Sequence, residues 1–299
     1  MTNKKVPILF CVFKRMEAVK AFESIRKYKP ERLYIAADGP RNYVAGEKED
    51  CEKVRNTIIS LIDWSCDVKT LFRSENLGCT NAIYKSISWF FENEEFGVIV
   101  EDDVILSQDF YKLSEDALEH YKDTEKIMMI GAQNRSGKHA KSSQLSFGTY
   151  TYIWGWATWR RAWGKMDINM QKWPKCNKWH LFKTYGFVPG VFKWRSYAMA
   201  YKNTSSGSWD TRWAFSVFYN DGLTLMPQVN LSTNIGIGIE GGTNYEVGDE
   251  DPYVNLKIGE LKWPVEYPQD IKEDKSQKGE NKRDYMRQRW IGLKKKLKR

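Results

Sequence analysis

Apolar residues arrive in short unbroken runs along the first 130 positions. The runs "PILFCVF" (7–13), "RLYIAADG" (32–39), "CDVKTLFRS" (66–74), "FGVIVEDD" (96–103) and "KIMMIGA" (126–132) have the length of strands. An unbroken run suits a strand covered on both faces. Between them the period lengthens. Met16, Val19, Phe22 and Ile25 fall on one side of a helix that stops near Pro30, and Val54, Ile58 and Leu61 do the same within 45–62. Residues 79–95 and 108–121 read as two more helices. This alternation predicts an α/β fold, a mainly parallel, Rossmann-like sheet with helices on both faces.

The pattern changes after residue 145. Residues 146–213 are rich in aromatics and glycine, as in "FGTYTYIWGWATWRRAW" and "GSWDTRW", and show neither repeat nor clean alternation. Residues 209–220 read as a short helix and "LTLMPQVNLS" as an irregular strand; the chain beyond Gly236 looks loop-like. The segment 269–284 has the composition of a solvated linker. In the tail, 285–299, Met286, Trp290, Leu293 and Leu297 form one helical stripe. The expected organisation is a domain over 1–245 with halves 1–135 and 136–245, an irregular segment and linker over 246–284, and a basic amphipathic tail.

Charge sharpens this picture once it is located. Of the net +9, the last fifteen residues contribute seven Lys or Arg and no acid, leaving +2 for the rest. A nearly neutral body argues against nucleic acid as a partner. The basic tail fits peripheral contact with an anionic membrane, and equally a helix packing its apolar stripe on the body. Five cysteines are scattered without metal-ligand spacing, which points to a reduced, cytoplasmic setting. The start, "MTNKKVPILFCVFKR", has too short an apolar run for a signal peptide, and no stretch reaches the roughly 20 apolar residues of a membrane span.

The chemistry gathers at strand ends. Ligands of open parallel sheets bind outside the carboxyl ends of the strands. Lys14-Arg15, Asp38-Gly39 and the triplet Glu101-Asp102-Asp103 each follow a predicted strand directly. Adjacent carboxylates either spread into water or hold a cation. A hard ion such as Mg²⁺ or Mn²⁺ needs only one or two of them, with water and phosphate supplying the rest.

The motifs "PILFCVFKR", "AADG", "VIVEDDVILSQDFY", "GAQNRSG", "WGWATW" and "SWDTRW" stand in the order found in metal-dependent inverting glycosyltransferases of the GT-A fold. Over roughly residues 5–245 the chain resembles the N-acetylglucosaminyltransferase I type and related bacterial enzymes. The resemblance implies a UDP-sugar donor, with N-acetylglucosamine as a candidate sugar, and a glycan or lipid-linked acceptor. It also implies that Asp103 holds Mn²⁺ or Mg²⁺ and that Glu101 and Asp102 meet sugar or ribose hydroxyls. Arg15 would approach the diphosphate and Asp38 the uracil. Asp210 in "GSWDTRW" takes the position of the general base, with N-capping of a helix as its structural alternative. Trp156 and Trp209 would offer faces to the sugar, or else are core. Where related bacterial sequences carry a "TH" pair, this chain has Thr243-Asn244.

Two other classes fit parts of the pattern: a silent carbohydrate- or nucleotide-binding module, and a sugar-phosphate nucleotidyltransferase. The second lacks support where a glycine-rich phosphate loop would follow the first strand; "VFKRMEAVKAF" stands there instead.

Overall fold

The computed structural model describes residues 5–135, 144–203, 208–237 and 256–297. The first elements are β1 (Ile8–Val12), α1 (Ala18–Tyr28), β2 (Arg32–Ala37), α2 (Glu47–Ser60), β3 (Asp67–Phe72), α3 (Gly78–Asn93) and β4 (Phe96–Glu101). There follow β5 (Val104–Leu106), α4 (Gln108–His120), β6 (Ile127–Gly131), β7 (Leu145–Gly148), β8 (Trp156–Trp159) and α5 (Arg160–Trp163). A 3₁₀ turn (Trp173–Lys175), α6 (Lys178–Tyr185), α7 (Phe187–Lys202), α8 (Trp209–Tyr219), β9 (Leu223–Pro227), β10 (Ser232–Asn234) and α9 (Lys275–Leu297) complete the chain.

Eight strands form one sheet in the order β3-β2-β1-β4-β8-β6-β9-β7, and β5 pairs with β10 in a separate ribbon. Strand β1 runs parallel to β2 and β4, β2 to β3, and β6 to β9. Strand β8 is antiparallel to both neighbours, β4 and β6, and β7 is antiparallel to β9. The period of two in β1 decides the layers. Ile8, Phe10 and Val12 pack with Phe22 and Ile25 of α1, Val54 and Ile58 of α2, and Phe110 of α4. Leu9 and Cys11 face the other way, toward Ile87 and Phe90 of α3, Ala162 of α5 and Trp213 of α8. The fold is therefore a mixed α/β sheet covered on both faces, as the alternation predicts.

The differences have physical causes. Strand β3 is largely exposed because it forms the sheet edge and pairs only with β2. Helix α1 begins at Ala18, so Met16 precedes it and stands exposed. "WATW" shows no alternation because β8 lies mid-sheet and is buried on both faces. Gly155 before it has φ +78°, and a Cβ there would fall 2.2 Å from Leu106, so this glycine serves a packed bend.

The expected linker over 269–284 is corrected by α9, whose first ten residues lie within it; Asn281 and Asp284 are buried against Tyr152. The tail's stripe is also reversed as far as the described side chains show. Tyr285 and Arg289 contact Tyr150 and Ser196 of the body, whereas Trp290 points outward. Among the described residues no helix is long and apolar enough to cross a membrane.

Candidate active site

The chain runs outward from β1 to β2 and β3, then returns to β4 on the other side of β1. Helix α1 covers one face and α3 the other. This reversal is a topological switch point, where open α/β sheets bind ligands. Arg15 follows β1, and the acid triplet closes β4, whose Glu101 pairs in register with Cys11. Asp102 and Asp103 then form the turn into β5.

Arg15 is the counterion of that turn. Its Nη2 donates to Asp102 Oδ1 at 2.5 Å and to Asp103 Oδ2 at 3.1 Å. Gly236, just after β10, presses its backbone on the same spot: a Cβ there would lie 2.4 Å from Asp103 Oδ2 and 2.9 Å from Arg15 Nη1. Ile235 N–H donates to the Asp103 carbonyl at 2.8 Å and fixes the contact. Lys14, the other strand-end cation, is taken up by buried Glu47, which also accepts from Arg41. These two hold the Glu47 carboxyl down to about 2.

Among the described residues Glu101 forms no salt bridge, and Arg15 acts on it only from a distance. Burial raises the Glu101 pKa, and the charges of Asp103, Asp102 and Asp210 push in the same direction. Burial likewise raises Asp102 against the pull of Arg15. Asp210 lies in the first turn of α8, and Ser208, not Asp210, is the N-cap. Its carboxyl accepts from the Ser208 hydroxyl. Burial raises its pKa, opposed by the Thr211 N–H, Lys193 and Arg135. Burial brings Lys193 down to about 8. The Cys79 thiol in the first turn of α3 reports the convergence: burial pushes it up to about 12, and Glu101, Asp210, Asp102 and Asp38 all add to the rise.

Asp38 has a structural task as well. Both its oxygens accept from Leu77 N–H, at 3.0 and 3.2 Å, and it holds the β3–α3 turn. Beside it a cleft of about 660 Å³ opens between the β2–α2 loop and the end of β3, lined by Pro40, Arg41, Cys51, Arg55 and Phe72. Arg55 spans its floor, donating to the carbonyls of Asp38 and Arg73 at 2.8 Å each. The tryptophans are corrected outright. Trp156 is fully buried and stacks on Trp209, itself 2% exposed, with centroids 5.9 Å apart. Neither ring has a face open to a sugar, so both belong to the core. Thr243-Asn244 lie outside the described residues.

Several contributors have no sequence motif. Arg73 donates to Ser86 and sits near Asp38 and Cys11. Lys193 lies among the rings of Tyr150, Tyr185, Tyr197 and Tyr285, at 5.2–5.8 Å from each centroid. Arg212 is wholly buried and donates to the carbonyls of Ala200, Asn203 and Ser208, tying α7 to the start of α8. Its signal was present: Trp209, Arg212, Trp213 and Ser216 have the spacing of one buried helix face.

A bound divalent ion has a limited set of protein ligands. Among the described residues no three His, Cys, Asp or Glu side chains are placed to hold a metal. Asp103, the more exposed of the two arginine-bound acids and cradled by bare Gly236, fits a single-carboxylate anchor whose other ligands come from water and phosphate.

No family model matches the chain, and no curated protein matches its sequence. Solved structures similar to it include HddC from Yersinia pseudotuberculosis, 9% identical over 52% of this chain and 77% of that one, with TM-score 0.34. Another is 4-diphosphocytidyl-2C-methyl-D-erythritol synthase from Anaerococcus prevotii, 9% identical over 73% and 87%, TM-score 0.38. A third is mouse xyloside xylosyltransferase 1 without ligand, 9% identical over 71% and 80%, TM-score 0.33. At these scores the likeness carries no functional weight, and the reading below rests on the residues.

Proposed function

We propose that the protein is an inverting GT-A glycosyltransferase that moves a sugar from a UDP-sugar to an acceptor hydroxyl on a glycan or lipid carrier. One observation carries the reading. At a topological switch point an arginine clamps two acids of a triplet, and a further acid, from the second half of the chain, acts electrostatically on the third.

In this reading Arg15 faces the diphosphate of the donor, and Asp103 would hold Mn²⁺ or Mg²⁺. Held there, the ion would supply positive charge against the departing diphosphate. Glu101, whose carboxyl is raised by burial and by the neighbouring acids, meets a hydroxyl of the donor sugar or ribose. The cleft beside Asp38 takes the nucleoside, with Phe72 and the cation of Arg55 5.2 Å from its ring centre as a flat wall. Asp210 accepts the acceptor proton as the new bond forms. A carboxyl raised by burial is suited to that step, because a base works best with a pKa near the operating pH. Lys193 and Arg135 act against that rise.

The test is UDP binding to the whole protein by calorimetry with and without Mn²⁺, in wild type and Asp103→Ala. The reading expects metal-dependent binding that the variant loses while keeping its melting temperature. Metal-independent binding, or binding unchanged in Asp103→Ala, would refute it. Incubation with nucleoside triphosphate plus sugar phosphate tests the nucleotidyltransferase alternative, whose product would be a nucleotide-sugar and pyrophosphate.

A further inference from the structure

The near-neutral body conceals a second basic region. From Ile168 to Trp209 there is no acid, and Lys172, Lys175, Lys178, Lys183, Lys193, Arg195 and Lys202 give that stretch +7. Helices α6 and α7 lie within it and meet at Gly186, whose φ of +84° makes the turn. At this corner apolar side chains stand in solvent. Trp179 is 77% exposed, Phe187 68% and Val188 48%. The patch is continuous: Phe182 lies 6.1 Å from the ring of Trp179 and 5.5 Å from that of Phe187. Val191 adds to it one helical turn beyond Phe187.

Cations rim the patch. Lys175, at the end of the 3₁₀ turn, and Lys178 and Lys183 of α6 are exposed. Lys282 of α9 reaches the turn itself, where a Cβ on Gly186 would lie 3.3 Å from its Nζ. Arg283 and Arg287 are exposed further along α9, which also presents Trp290 at 61% exposure. Of the acids on neighbouring elements, Asp221 is paired with His180 at 2.8 Å and Glu280 of α9 with Arg283 at 3.9 Å. Exposed rings and aliphatic side chains flanked by lysine and arginine fit the boundary of an anionic bilayer, where the rings enter the headgroup–acyl zone and the cations meet lipid charge. Nucleic acid would leave Val188 and Val191 against water or phosphate, which disfavours it.

We infer that the α6–α7 corner, flanked by α9, is a docking surface for an anionic membrane. Sugar transfer is not needed for this inference.

The test is flotation of the full chain with phosphatidylglycerol-rich vesicles and with pure phosphatidylcholine vesicles. Wild type should bind the first and lose that binding at high salt, and should bind the second weakly. The Trp179→Ser/Phe187→Ser double variant should bind phosphatidylglycerol vesicles at least about tenfold more weakly. Because both side chains are exposed, its melting temperature and metal-dependent UDP binding should match wild type. Lys178→Glu/Lys183→Glu should weaken vesicle binding similarly. Unchanged binding in the double variant would overturn the proposal. So would binding lost instead on neutralising Lys294, Lys295 and Lys296, which moves the contact to the tail. Self-association in the ultracentrifuge that the double variant abolishes, without vesicle binding, would assign the corner to a second copy and likewise overturn it.

Discussion

Replacing Arg15 by methionine nearly keeps the length of the side chain and removes its charge. The guanidinium lies 2.5 Å from Asp102 and 3.1 Å from Asp103. At an effective dielectric of about 20, a unit pair at roughly 3 Å is worth on the order of 5 kcal/mol before desolvation. The three side chains are 15%, 9% and 21% exposed, so water and protonation recover part of the loss. A net cost of about 2–4 kcal/mol near pH 7 results, at the low end of what removing one partner of a buried pair costs. For a chain of this size that is a fall of about 4–8 °C in melting temperature, measurable by scanning calorimetry. The sign of the pH dependence follows. Burial already raises the Asp102 carboxyl against the pull of Arg15, and without that cation it rises further above its unfolded value. The penalty is full above the raised value and fades as pH falls through it, so the gap from wild type is wider at about pH 8 than at about pH 5. Mn²⁺ at ten times its dissociation constant should return about 1.4 kcal/mol to the variant. A variant that melts with wild type, or with the same deficit at both pH values, would show that Arg15 does not neutralise this pair.

Asp210→Asn should lower turnover by about 10²–10⁴-fold and leave UDP affinity and melting temperature near wild type, because asparagine keeps the shape and an acceptor oxygen for the Ser208 hydroxyl. Activity of wild type should fall as pH drops through the raised Asp210 pKa, and Lys193→Met, by removing a cation that lowers it, should move that acidic limb to higher pH; a stationary limb would separate the two groups. Arg212→Met should cost about 2–5 kcal/mol by leaving three carbonyls without their donor, read as a lower urea midpoint; an unchanged midpoint would remove its bracing role.

How much of this was visible in the residues depended on the kind of signal. The strands β1, β2, β4 and β6 announce themselves because burial on both faces demands unbroken apolar runs. The meeting of Arg15 with Asp102 and Asp103 was implied by strand ends, since topology brings carboxyl ends to one edge. Trp156 and Trp209 misled because aromatic residues have the same composition whether they wall a pocket or fill a core; only their mutual stacking decides. Lys193 and Arg73 had no local signature, because their neighbours lie far off in sequence. The acid-free stretch at 168–209 was hidden by averaging charge over the whole body. The first ten residues of α9 read as a linker because their buried side chains are polar, Asn281 and Asp284, against the usual apolar stripe.

The place of β8 in the sheet bears on how the molecule is made. Among β1 to β4 each new strand has its partner already synthesised, β2 on β1, β3 on β2 and β4 on β1. β4, however, keeps one edge unpaired until Trp156–Trp159 arrive, and β6 waits for the same segment. A chain emerging from the ribosome therefore carries the open edge of β4 from Glu101, and that of β6 from Gly131, until Trp156 is made, the condition under which strands pair with the wrong partner. A fragment ending near residue 135 would keep both edges permanently, so it should accumulate as aggregate, whereas one reaching past Pro227 could close the sheet.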